Sequence, residues 1–148
     1  MKSCLIAFLT FFISTSVLAD GFASTGNPEL GESAFKKQCV ACHVVVNKVG
    51  KKLAGRNGRT GPNLYGLAGT VAGMVEGYRY GKSIVTAGSE NGLIWSEQTF
   101  VAYVQDPRGF LRNFLGDKKA RAKMTYKVRK QKDALNIYAY LLRLSENK

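Results

Sequence analysis

The run Cys39-Val40-Ala41-Cys42-His43 constrains this chain more than any other feature. Two thiols three positions apart fall on one side of a helical turn, and the imidazole follows directly. The three groups converge on one edge and one face of a flat macrocycle. The thiols are placed for thioether bonds to haem vinyl groups, and the imidazole for a position under the iron. Scarcity weighs against the competing readings. His43 is the only histidine of the 148 residues, and Cys4 is the only other cysteine. A structural zinc site takes four ligands, commonly two such pairs. A thioredoxin-like dithiol follows a buried strand in a βαβ unit, whereas the residues before Cys39 read as a helix. A plain Cys39–Cys42 disulfide leaves His43 without a role. An exported dithiol protein stands as the alternative to haem attachment.

The amino terminus bears on where this chemistry happens. Met1-Lys2 supplies one positive charge, and residues 3–19 carry none. Leu5-Ile6-Ala7-Phe8-Leu9 and Phe11-Phe12-Ile13 form an apolar centre, and Val17-Leu18-Ala19 precedes Asp20. A basic start, an apolar middle and a small final residue match an export signal cleaved after Ala19. An uncleaved anchor is the rival, but Thr10, Ser14, Thr15 and Ser16 dilute the apolar run. Cys4 lies before the apolar stretch and would leave with the signal. Residues 20–148 then make one domain in the periplasm, too short for two ordinary ones.

With 22 basic against 10 acidic residues, the chain carries a formal charge of +12. Such a surface seeks an acidic protein, an anionic membrane or a nucleic acid. Export argues against nucleic acid, and no basic-aromatic interleaving suggests a stacking platform. An acidic protein partner is the expectation.

The expected fold is all-α, with helices joined by long glycine-rich loops. Asn27 caps a helix beginning at Pro28, with Glu29 and Glu32 near its positive end. Leu30, Ala34 and Phe35 mark its apolar side up to Cys39. Residues 47–92 hold most of the 16 glycines and no convincing periodic segment. A loop that long suits a compact domain when a large apolar cofactor supplies the core it wraps. Ser96 caps a second helix carrying Phe100, Val101 and Val104 and stopped by Asp106-Pro107. Phe110, Leu111, Phe114 and Leu115 suggest a third, ending at Gly116. The last begins near Gln131 and sets Leu135, Tyr138, Leu141 and Leu142 on one face. No strand pattern of any length competes.

A haem iron under His43 takes a second axial ligand or keeps an open position. No histidine remains, and both thiols of the motif are consumed by attachment. Two methionines lie beyond the signal, Met74 and Met124. Met74, beside Val71 and Val75 in the glycine-rich loop, reads as a small apolar plug. Met124 is flanked by lysines that would keep it at the surface unless something drew it inward, and the ligand is assigned to it. A histidine–methionine pair closes both faces of the iron and favours the ferrous state, which suits electron transfer.

The chain resembles the class I c-type cytochromes, most closely the bacterial cytochrome c2 branch, over essentially all of residues 20–148. Gly31 and Phe35 stand eight and four residues before Cys39, as in the family's first helix. Thr60-Gly61-Pro62-Asn63-Leu64, Ile94-Trp95, Tyr103-Val104-Gln105-Asp106-Pro107, Lys123-Met124-Thr125-Tyr126 and Ile137-Tyr138-Ala139-Tyr140-Leu141 match its later landmarks in order. The resemblance implies a small fold wrapped round one covalent haem c, and residue roles. The Pro62 carbonyl accepts a hydrogen bond from the ligating imidazole. Trp95 and Tyr80 donate to a buried haem propionate, and Tyr103 stands near the methionine sulfur. Two departures stand out. The family's arginine near the inner propionate is replaced by Thr70, for which Arg79 is a candidate substitute. Tyr126 stands where phenylalanine is usual beside the haem edge.

Lys118, Lys119, Arg121, Lys123, Lys127, Arg129, Lys130 and Lys132 place a purely basic run around Met124. The resemblance puts Met124 beside the exposed haem edge, so Lys118, Lys119, Lys123 and Lys127 are expected to dock an acidic redox partner. Lys36, Lys37, Lys51 and Lys52 extend the same ring. The expected function is a mobile, monomeric one-electron carrier, not an enzyme. By resemblance, it runs from a quinol-oxidising complex (quinol-cytochrome c oxidoreductase) to a terminal oxidase or photosynthetic reaction centre. A haem enzyme with a displaceable Met124 is the second reading, weakened by the lack of a distal histidine to act as acid or base.

Overall fold

A computed structural model of the protein describes residues 23–146. The expected signal at residues 1–19, with Cys4 and the cleavage point after Ala19, lies outside them. Among the described residues, no helix is long and apolar enough to cross a membrane.

The frame is a crossing of the first and last helices, α1 (Pro28–Gln38) and α5 (Gln131–Glu146). Asn27 caps α1 as its sequence suggests: its side-chain oxygen accepts the Leu30 amide at 2.8 Å, and Pro28 holds the first position. Gly31 makes the crossing possible. A Cβ there would collide with the Asn136 carbonyl on α5, so only glycine lets the two backbones approach this closely. Around that point Phe35 packs on Tyr140 with ring centroids 5.6 Å apart. Asn136 accepts the Asn27 amide at 2.8 Å, Gln38 Nε2 donates to Asp133 at 3.0 Å, and Arg143 pairs with Glu29 at 2.6 Å. The buried surface of α5 is wider than one stripe. Ala134 and every residue from Asn136 to Leu141 are buried, because α1 and α3 cover different sides of it.

Helix α3 (Glu97–Gln105) starts from a reciprocal Ser96–Thr99 capping box and packs on α5 through Phe100 and Tyr138, whose rings lie 5.5 Å apart. The chain turns at Asp106, and Pro107 opens α4 (Pro107–Leu115), which ends on Gly116 with φ of 64°. These elements follow their sequence signals closely.

Two elements depart from expectation. Val44–Val46 (β1) and Lys52–Gly55 (β2) form a small antiparallel hairpin with an irregularity between Val45 and Val46. Strands of three and four residues are too short to display an alternation, and Val45 is fully buried through tertiary packing. The glycine-rich stretch also contains a helix, α2 (Lys82–Ser89). Its Ile84-Val85-Thr86 run and Gly88 are weak helix formers. Its position is set from outside, since Gly88 lies so close to the Ala72 carbonyl that a Cβ would overlap it.

Substituting Gly31 by alanine tests the crossing. The overlap with Asn136 is with backbone and cannot be relieved by a rotamer change, so Gly31→Ala should cost about 1–3 kcal/mol, read as a lower melting temperature of the haem-loaded protein.

Candidate haem-binding site

The last turn of α1 delivers the motif residues to one wall of a central cavity of about 570 Å³. The Cys42 and His43 amides both donate to the Cys39 carbonyl, at 3.1 and 3.0 Å, so the chain folds back as the helix ends. Cys39, Cys42 and His43 all line the cavity, and both thiols are partly buried and unpaired. Burial, with a smaller contribution from Cys42 beside it, pushes the Cys39 thiol up to about 12. A reactive dithiol needs a low thiol pKa and a readily formed thiolate; this environment does the reverse.

Opposite the motif runs Thr60-Gly61-Pro62. The Gly61 amide donates to the Cys42 carbonyl at 2.8 Å, and His43 Nδ1 lies 3.0 Å from the Pro62 carbonyl oxygen. A carbonyl only accepts, so Nδ1 carries the proton and Nε2 keeps its lone pair. Burial lowers the pKa of His43, with the Pro62 hydrogen bond opposing it, and the ring is neutral and fit to bind a metal. A Cβ on Gly61 would strike the imidazole, so the loop and ring lie face to face. Asn63 locks this loop to β1, accepting the Val46 amide at 2.9 Å and donating to the Val46 carbonyl at 2.7 Å. The sequence marks Asn63 only as part of a matching run; its bonding role depends on the hairpin.

The other expected residues gather around the same cavity: Pro62, Tyr80, Trp95, Tyr103 and Met124 all line it. Trp95 is held by a ladder in which its amide donates to the Thr70 carbonyl at 3.0 Å and its carbonyl accepts the Gly69 amide at 2.9 Å. Its ring packs edge-on against Tyr103, with centroids 5.1 Å apart. Burial pushes the Tyr103 phenol up to about 12, with Tyr78 and Tyr80 adding to it, and burial also raises Tyr80. These phenols stay protonated and able to donate. Thr70 lines the cavity, whereas the candidate substitute Arg79 is not among the lining residues. What Arg79 contributes is its carbonyl, which accepts Lys123 Nζ at 2.7 Å.

Both methionines reach the cavity, so lining alone does not separate them. Met74 is 58 % exposed, between two glycines with positive φ, Gly73 and Gly77. Met124 is partly buried and packs against the main apolar core.

The four expected docking lysines divide into two kinds. Lys127 pairs with Asp106 at 2.8 Å, and the Lys123 ammonium lies 4.6 Å from the Tyr78 ring centroid while bonding the Arg79 carbonyl. Lys118 and Lys119 are exposed and, among the described residues, form no salt bridge.

No protein-family model matches the chain, but individual relatives do. Cytochrome c2 from Rhodovulum adriaticum is 56 % identical over 120 residues, covering 81 % of this chain and 94 % of the relative. The chain belongs to the cytochrome c2 family. Cytochrome c-551 of Roseobacter denitrificans is 48 % identical over 120 residues, covering 81 % of this chain and 82 % of that protein. The crystal structure of cytochrome c2 from Rhodobacter sphaeroides superposes with a TM-score of 0.77 at 50 % identity, covering 80 % of this chain and 95 % of that one. As a cytochrome c2, the protein is an electron-transfer protein with one covalently bound haem c, and not an enzyme. The site fits that group: two thiols and a lone-pair nitrogen share one wall of a largely apolar cavity, with polar aromatic groups around it.

Replacing Cys39 and Cys42 together by serine should leave a chain that cannot retain its cofactor and so lacks much of its core. Loss of most far-ultraviolet helicity and rapid proteolysis are expected; a compact, haem-free variant with native helicity would contradict this.

Proposed function

We propose that this cytochrome c2 is exported by residues 1–19, cleaved after Ala19, and works as a monomeric mobile carrier in the periplasm. It takes one electron from a quinol-oxidising complex and passes it to a terminal oxidase or photosynthetic reaction centre. The haem, when bound, supplies a one-electron iron couple. Cys39 and Cys42 would hold it through thioethers, His43 and Met124 would ligate its iron, and Pro62 keeps the imidazole in its ligating tautomer. Trp95 and Tyr80 donate hydrogen bonds to propionate, while Tyr103 covers the methionine side. The observation that carries this reading is the common cavity shared by His43, with Nδ1 already committed to Pro62, and Met124.

With His43 and Met124 both bound, the iron would have no position left for substrate, which suits electron transfer. The basic run around Met124 supports docking of an acidic redox protein, in contacts that are small and quickly released.

Met124→Ala should abolish the methionine-to-iron charge-transfer band. It should also lower the reduction potential by on the order of 0.1 V or more, within the roughly 0.8 V range set by axial ligands. Met74→Ala should do neither, and an exchange of these phenotypes would move the ligand to Met74.

Docking is tested by salt. Screening contracts the Debye length from about 10 Å at 0.1 M to about 3 Å at 1 M, so second-order electron transfer should slow steeply as salt rises. Lys118→Glu or Lys119→Glu should lower the low-salt rate by about tenfold, chiefly in association. Lys148→Glu, at the far carboxyl end of the sequence and outside the described residues, should matter much less. Equal effects at all three would mean that net charge alone steers the partner.

A further inference from the structure

Met124 lies in the irregular connection between α4 and α5, and what holds that connection is uneven. At its ends the backbone is anchored. The Ala120 carbonyl accepts Arg112 Nε at 3.3 Å, the Arg121 amide donates to Ser83 Oγ at 3.0 Å, and the Val128 amide donates to the Val104 carbonyl at 2.9 Å. Between Arg121 and Val128 the attachments nearest Met124 are made by the side chains on either side of it.

On one side, Lys123 donates to the Arg79 carbonyl at 2.7 Å and sets its ammonium over the Tyr78 ring, 4.6 Å from the centroid. Tyr78 is itself fixed, its hydroxyl donating to the Thr60 carbonyl at 2.6 Å. Thr60 begins the loop whose Pro62 carbonyl orients His43. On the other side, the Tyr126 hydroxyl donates to Gln38 Oε1 at 3.3 Å, and Gln38 Nε2 donates to Asp133 at 3.0 Å. Gln38 immediately precedes Cys39. Each bond therefore runs from a neighbour of Met124 to the segment that carries another haem-binding residue.

We infer that Lys123 and Tyr126 form a two-sided brace that holds Met124 over the cavity, so that both are positioning residues for the axial thioether and the Lys123 charge is spent inward. This rests on the reading of Met124 as the axial ligand. Methionine has three rotatable bonds and a soft, adaptable side chain, so it does not fix its own position. For the thioether to leave, residues 122–127 must lift, which breaks the cation–π contact and a charge-assisted hydrogen bond on one side and the Tyr126 hydrogen bond on the other, together with the exposed Lys127–Asp106 ion pair at 2.8 Å, whose contribution is small. A small molecule that competes for the sixth position binds only the lifted form, so its apparent affinity scales with the population of that form.

The test is imidazole titration of the ferric, haem-loaded protein, followed by loss of the charge-transfer band. Lys123→Ala should bind imidazole about tenfold more tightly than the parent, and Tyr126→Phe about threefold more tightly. Lys123→Arg, which keeps the cation and a donor, should stay close to the parent, and Lys118→Ala should match it. The brace is overturned if Lys123→Ala titrates like Lys118→Ala, or if Lys123→Arg is as weak a restraint as alanine. Failure of the underlying reading looks different: the charge-transfer band would survive Met124→Ala. If the band is lost in Met124→Ala and imidazole affinity is unchanged in Lys123→Ala and Tyr126→Phe, the ligand stands and the brace alone is wrong.

Discussion

The hydrogen bond between His43 and the Pro62 carbonyl organises the rest of the structure. It fixes the rotation of the imidazole, sets its proton on Nδ1 and leaves Nε2 free, all through one contact of 3.0 Å, while burial keeps the ring neutral. That contact requires the Thr60-Gly61-Pro62 loop to pass directly over the ring, and only glycine at position 61 leaves room. The loop in turn needs Asn63 bonded to β1, and β1 needs its partner β2. The hairpin that appears as a minor element thus supports the orientation of the single histidine.

The helical frame solves a separate problem. A domain with few helices and a large cavity cannot rely on continuous apolar packing, so the α1–α5 crossing is unusually close and laced with polar bonds at both ends. Asn27–Asn136, Gln38–Asp133 and Arg143–Glu29 pin one helix along the other. Surface ion pairs contribute little individually; the backbone approach at Gly31 and the aromatic packing of Phe35 carry more. The cysteines leave the end of this crossing, so the attachment point follows directly on a helix bonded along its length to α5.

Charge near Met124 does two jobs in one stretch of sequence. Lys118 and Lys119 project into solvent, whereas Lys123 and Lys127 are engaged with neighbouring loops. Tyr126 uses its extra hydroxyl on Gln38 while remaining 48 % exposed. A departure from the usual phenylalanine therefore has a partner in the structure, which a buried hydroxyl would need and an exposed one merely benefits from.

The sequence by itself determined the attachment motif, the all-α frame and four of the five helices. These rest on local physics: the caps at Asn27 and Ser96, the prolines at 28 and 107, Gly116 as a stop, and apolar spacing along α5. Cys39, Cys42, His43 and Met124, read from the motif and by elimination, and Pro62, Tyr80, Trp95 and Tyr103, read through the family resemblance, all come to the cavity. Tertiary structure alone decided the rest. Helix α2 and the hairpin are too short and too poor in intrinsic propensity to announce themselves, and they form because Ala72, Asn63 and the core hold them. Arg79 looked like a replacement for a missing charge but supplies a carbonyl, and the bond that carbonyl accepts from Lys123 is visible only in the fold. Such roles depend on which distant backbone a long, flexible side chain meets, and no local pattern encodes that meeting.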